Sequence, residues 1–87
     1  MPYIKSKQKD RFASLDVALE INTVFTNPGE LNWLLTKCCL SYLNSKEENY
    51  QTYNDIIGVL ECCKLEMYRR KIAKYEDKKI AENGDVY

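Results

Sequence analysis

From Thr52 to about Ala81 the chain runs for nearly thirty residues without a proline. Its apolar side chains recur at helical spacing: Tyr53, Ile56, Ile57, Leu60, Cys63 and Met67, followed by Ile72 and Tyr75. Steps of three and four residues trace one face of an α-helix, and thirty residues at ~1.5 Å each make a helix of roughly 40 Å. That length is hard to reconcile with a compact three-helix domain of 87 residues. From Arg69 onward the pattern is mostly charged, and little chain is left to pack against it. The carboxy-terminal half of this helix therefore either projects into solvent or packs on another copy of the chain.

The remaining segments are also helical in pattern. Phe12, Leu15 and Leu19, with Val17, Ile21 and Val24 beside them, give two adjoining apolar rows and predict a helix over 12–24. It stops before Asn27-Pro28-Gly29-Glu30, the clearest boundary in the chain. Asn27 can cap the next helix through its side-chain oxygen, Pro28 suits a first position that needs no N–H, and Glu30 sits where a capping box places its carboxylate. The second helix is expected over 28–43, with Leu31, Leu34, Leu35, Cys38 and Tyr42 at core spacing. Trp33, Leu40 and Leu43 widen the apolar arc so far that contacts on more than one side are needed. Residues 44–49 read as a turn, Thr52-x-x-Asp55 as the cap of the third helix, and Asn83-Gly84 as its stop. Strand signals are poor, with no sustained alternation and no hairpin dipeptide between β-branched runs. The expected architecture is all-α: a basic arm over 1–11, then a single three-helix domain over 12–87 whose long last helix packs into an oligomeric helical bundle.

No apolar run approaches the roughly twenty residues of a membrane span. The basic start has no apolar region behind it, so no secretory signal is expected and the reading is cytoplasmic. The four cysteines fall in two adjacent pairs, Cys38-Cys39 and Cys62-Cys63. Neighbours on a helix point about 100° apart, so a pair does not readily share one metal ion. Core packing of small, free thiols is favoured over metal or redox chemistry.

Thirteen basic and thirteen acidic residues balance, and there is no histidine. Read in blocks, the charge is +3 over 1–11, −4 over 12–60, +3 over 61–79 and −2 beyond. Neutrality argues against nonspecific or sequence-specific nucleic-acid binding, while the opposite-signed blocks favour docking of one copy on another. Arg69-Arg70-Lys71 is the densest basic cluster, with Lys64 and Lys74 a turn away and Tyr68 and Tyr75 interleaved. Arginine forks bind phosphate and tyrosine stacks on bases, so this is the candidate surface for an anionic ligand. The competing and favoured reading is a solvated face laced by Glu66 to Arg69 or Arg70 pairs. Ile57, Glu61, Lys64, Tyr68 and Tyr75 share one stripe. If Glu61 and Lys64 are buried they must be paired, because isolated buried charge is costly; otherwise the stripe is the edge of the core, with Lys64 snorkelling. Gly58 in mid-helix costs about 1 kcal/mol against alanine, and with Trp33, Tyr53, Ile57 and Tyr75 it marks a candidate interface, although aromatics pack more often than they bind cofactors.

An enzyme is the third-ranked reading. No histidine is present to activate the cysteines, serines or threonines, the carboxylates do not converge, and there is neither a Gly-rich phosphate loop nor a strand to precede one. No cofactor and no metal are expected.

Three strings carry a resemblance: Asn27-Pro28-Gly29-Glu30-Leu31-Asn32-Trp33; Ile57-Gly58-Val59-Leu60-Glu61 with Lys64-Leu65-Glu66 and Tyr68-Arg69-Arg70; and Tyr75-Glu76-Asp77 through Glu82-Asn83-Gly84-Asp85-Val86-Tyr87. With them the chain resembles a family of short, functionally uncharacterised bacteriophage and prophage proteins, over most of its length from Asn27. Lys74 stands where the family pattern carries a proline, which leaves the helix free to continue. The resemblance implies a setting in which small helical proteins act by binding a host protein, a host signal molecule or subunits of an assembly. It assigns no catalytic residue. The leading expectation is a non-enzymatic homo-oligomeric interaction protein that recognises its partner through Glu61, Lys64, Tyr68, Arg69, Arg70 and Lys71. The alternative is an oligomeric pocket protein that captures an anionic small molecule such as a nucleotide.

Overall fold

The structure, a computed structural model, describes residues 2–21 and 24–87, and the described residues form helices and connections with no strand. Three helical stretches follow one another. The first comprises α1 (Ser6–Lys9), a 3₁₀ turn (Asp10–Phe12) and α2 (Ala13–Leu19). The second is α3 (Pro28–Asn44). The third joins α4 (Tyr50–Met67), a π turn (Tyr68–Ile72) and α5 (Ala73–Asn83). The chain divides into two compact units, Tyr3–Ile56 and Ile57–Tyr87 with Pro2.

In the first unit the helical start lies inside the stretch read as a basic arm. Gln8 accounts for it: its Oε1 accepts the Lys5 amide at 3.0 Å, while the Lys5 carbonyl accepts the amides of Gln8 and Lys9 at 2.9 and 3.1 Å. This local polar contact supports a turn that carries no apolar row. α2 ends at Leu19, short of the expected Val24; Asn22 and Thr23 lie outside the described residues.

α3 begins where its sequence requires. Asn27 holds an extended backbone and its Oδ1 accepts the Glu30 amide at 2.9 Å. Glu30 reaches back one residue further than a simple capping box, accepting the Thr26 amide at 3.0 Å, the Thr26 hydroxyl at 2.7 Å and the Asn27 side-chain amide at 3.2 Å. Three donors at the helix entrance thus converge on one carboxylate. The Thr26 amide and then the Thr26 hydroxyl hold the Glu30 carboxyl below its ordinary 4.5.

α4 starts at Tyr50, and the cap expected at Thr52 is instead Asn49. Its Oδ1 accepts the Thr52 amide at 2.9 Å and the Thr52 hydroxyl at 3.2 Å, and that hydroxyl also donates to the Glu47 carbonyl at 2.8 Å. Asparagine outcompetes threonine as an N-cap. Thr52, three residues in, can then spend its hydroxyl closing the preceding turn, and at 6% exposure it is the one buried residue described. Asp55 accepts from Gln51 at 2.7 Å and from the Tyr42 hydroxyl of α3 at 3.4 Å.

In the second unit the helix passes through the π turn without a proline or glycine in it and stops as the sequence indicates. Gly84 takes φ +88°, open to glycine at no steric cost, and its amide closes on the Ile80 carbonyl at 2.8 Å.

No apolar side chain is buried among the described residues. Leu34, Cys39, Leu43 and Ile56 are half-buried. The cysteines accordingly do not form the packed core expected of them within this chain: all four are free thiols, with Cys38, Cys62 and Cys63 exposed.

Candidate functional site

The residues singled out for recognition lie along the second unit. Glu61 and Lys64, one turn apart, meet at 3.0 Å with their side chains 53% and 68% exposed. Of the two readings open from sequence, the pair is the solvated one: it carries no buried charge and is of the weak surface class. One turn further, Arg69 pairs with Glu66, as the reading of a laced helix face anticipated. Arg70, Lys71 and Lys74 enter no ion pair with the described residues.

Tyr68 opens the π turn, and its hydroxyl donates to Glu76 Oε1 at 2.7 Å across eight residues. In an uninterrupted α-helix, residues eight apart diverge by about 80°. The π turn takes up one extra residue, so Glu76 stands where the seventh residue would and shares the face of Tyr68. The hydrogen bond to Glu76 pushes the Tyr68 phenol above its ordinary 10.0, with loss of hydration and the carboxylate's charge adding to it. Glu76 had no place in the sequence-derived site, because its contact depends on a local winding that helical periodicity does not encode. Tyr75 stacks under Lys79 at 5.5 Å, and Lys79 also pairs with Glu82 at 3.2 Å.

The interface candidates divide between the units. In the first, Trp33 is 64% exposed under Lys37 at 5.6 Å, and Tyr53 donates to Glu48 Oε1 at 2.7 Å, which raises its phenol above 10.0. In the second, Ile57 and Tyr75 are exposed, and a methyl group built on Gly58 meets nothing within 4 Å. The close approach expected at Gly58 is not made by any of the described residues. Among the described residues, no three Cys, Asp or Glu side chains are grouped to hold a metal ion, and no helix is long and apolar enough to cross a membrane.

This face can hold anions through the guanidinium and ammonium groups of Arg70, Lys71 and Lys74, and can pack through the apolar residues between them. Tyr68 is held as a donor to Glu76. Residues 1–86 match a family described as a domain of unknown function (DUF6899). No curated protein and no solved structure matches the chain.

Proposed function

The chain belongs to the DUF6899 family, and since membership assigns no chemistry, we propose from the surface itself that it is a non-enzymatic binding protein working as a homo-oligomer. One observation carries the reading: apolar side chains line every helical stretch and none of those described is buried. Trp33, Ile57, Val59 and Tyr75 are each more than 60% exposed, and at about 25 cal/mol per Å² of apolar area covered such side chains favour association.

The recognition surface in this reading is Glu61, Lys64, Tyr68, Arg69, Arg70 and Lys71, and the partner is a protein of the host cell if the phage or prophage setting implied by the resemblance holds. The place of action is then the host cytoplasm. Light scattering over a concentration series tests the oligomer: a strict monomer at every concentration sinks it.

A specific observation favours a second reading. Because Arg70, Lys71 and Lys74 are not committed to acidic partners among the described residues, an oligomer could present them to an anionic small molecule such as a nucleotide. Thermal shift against a nucleotide panel decides it, with Arg70→Glu and Lys71→Glu as controls. A shift in the wild type that both variants lose supports it; no shift from any nucleotide removes it.

A further inference from the structure

We propose that Asn83 is a site of slow covalent modification: it loses its side-chain amide through a cyclic imide formed with the Gly84 nitrogen, at a rate set by the hydrogen bond that closes α5. The reaction needs only the end of α5 and does not depend on the binding reading.

Asn83 is the one asparagine of the chain that precedes a glycine. Closing a five-membered ring requires the amide nitrogen of the next residue to reach the asparagine Cγ, and a side chain on that next residue crowds the approach. Glycine has none, and its backbone moves freely into the conformations that closure needs. Asn83 is exposed and is the last residue of α5, so no packed layer confines it. With Ile80, Val86 and Tyr87 it borders an open hollow of about 310 Å³ that water can enter.

Water is the only co-reactant. The Gly84 nitrogen, once its proton has passed to hydroxide, attacks Cγ of Asn83. The N–Cγ bond forms, the Cγ–Nδ2 bond breaks, and ammonia leaves after taking a proton from water. A second water then opens the imide. Cleavage at the side-chain carbonyl leaves aspartate at position 83, and cleavage at the backbone carbonyl leaves isoaspartate, in which the main chain runs through the side-chain methylene. No atom is oxidised or reduced.

The helix end holds this reaction back. The Gly84 amide donates to the Ile80 carbonyl at 2.8 Å, so its proton is engaged. In a helix the Cα–Cβ bond tilts toward the N-terminus, which carries the Asn83 side chain away from the nitrogen that follows it. Attack therefore requires the Gly84 bond to break and the last turn to unwind, an opening that costs little at a helix terminus. The product weakens the turn further. The imide has no N–H at position 84 to give Ile80, and an aspartate adds negative charge at the negative end of the helix dipole, next to Glu82 and Asp85.

Mass spectrometry of proteolytic fragments from the full chain, incubated at neutral pH, tests the site and its gate, with a synthetic peptide of residues 79–87 as the unfolded reference. Asn83 is expected to react at least fivefold faster than any other asparagine of the chain and at least threefold slower than in the peptide, giving both aspartate and isoaspartate. Another asparagine reacting as fast, or Asn83 intact after the peptide has reacted, overturns the site. Aspartate alone overturns the imide route. Equal rates in chain and peptide overturn the gate. Ala81→Gly, which lowers helix propensity in the last turn, is expected to speed the reaction in the chain at least twofold and to leave it unchanged in the peptide; an unchanged rate in the chain also overturns the gate.

Discussion

Asn27 and Glu30 show how much of this protein is decided by single polar atoms. With no buried apolar side chain described in the chain, the side-chain caps supply a large part of the local order. Asn27→Ala removes the acceptor of the Glu30 amide and is expected to cost about 1 kcal/mol, measured by denaturant unfolding at fixed protein concentration. The Glu30 carboxyl is lowered in the folded chain, so its contribution is present above the ordinary 4.5 and is lost as pH falls through the lowered value. By NMR, Glu30 is expected to titrate below 4.5, and Thr26→Ala to bring that midpoint partway back, since the backbone donor remains. Tyr68 runs the opposite way: its phenol is raised, so its hydrogen bond to Glu76 holds at lower pH and is lost as pH rises through the raised value. Tyr68→Phe should delete one of the seven tyrosines from the part of the ultraviolet titration that lies above 10.

At the scale of the element, apolar periodicity and capping chemistry made α3 and the Gly84 stop legible, and Pro28 and Asn27 placed the α3 boundary to the residue. The start of α1 and the Asn49 cap were not legible, because each rests on a hydrogen bond that competes locally with an equally reasonable one: Gln8 to Lys5 in the first, Asn49 against Thr52 in the second. The five-residue step from Met67 to Ile72 was present in the row, yet only the winding at Tyr68–Ile72 gives it a physical cause. Gly58 lies in α4 with open space where a methyl group would stand, on the side of the helix away from Leu60, Cys63 and Met67. Gly58→Ala is therefore expected to raise stability by up to about 1 kcal/mol through helix propensity alone. Thermal unfolding checks this, with the oligomer size by light scattering unchanged.

For the whole molecule, the basic cluster around Arg69 illustrates how far charge patterns carry. Sequence offered a phosphate-binding surface and a salt-bridged face as rivals, and the structure commits Arg69 to Glu66 while Arg70 and Lys71 enter no ion pair among the described residues. At this scale the expected behaviour is concentration-dependent stability: if association covers the apolar faces, the unfolding midpoint rises with protein concentration. A midpoint independent of concentration over two decades would contradict the homo-oligomer.

The sequence by itself determined the all-α class, the α3 boundary, the length of the last helical stretch and its glycine stop, since these follow from spacing and capping within a few residues. Only the tertiary structure decided that the Glu61–Lys64 pair is solvated, that the cysteines stay free and mostly exposed, and that a π turn interrupts the last helical stretch at Tyr68–Ile72. Periodicity specifies which residues want to be covered, but burial is a property of what lies opposite. Among the described residues no apolar side chain is buried.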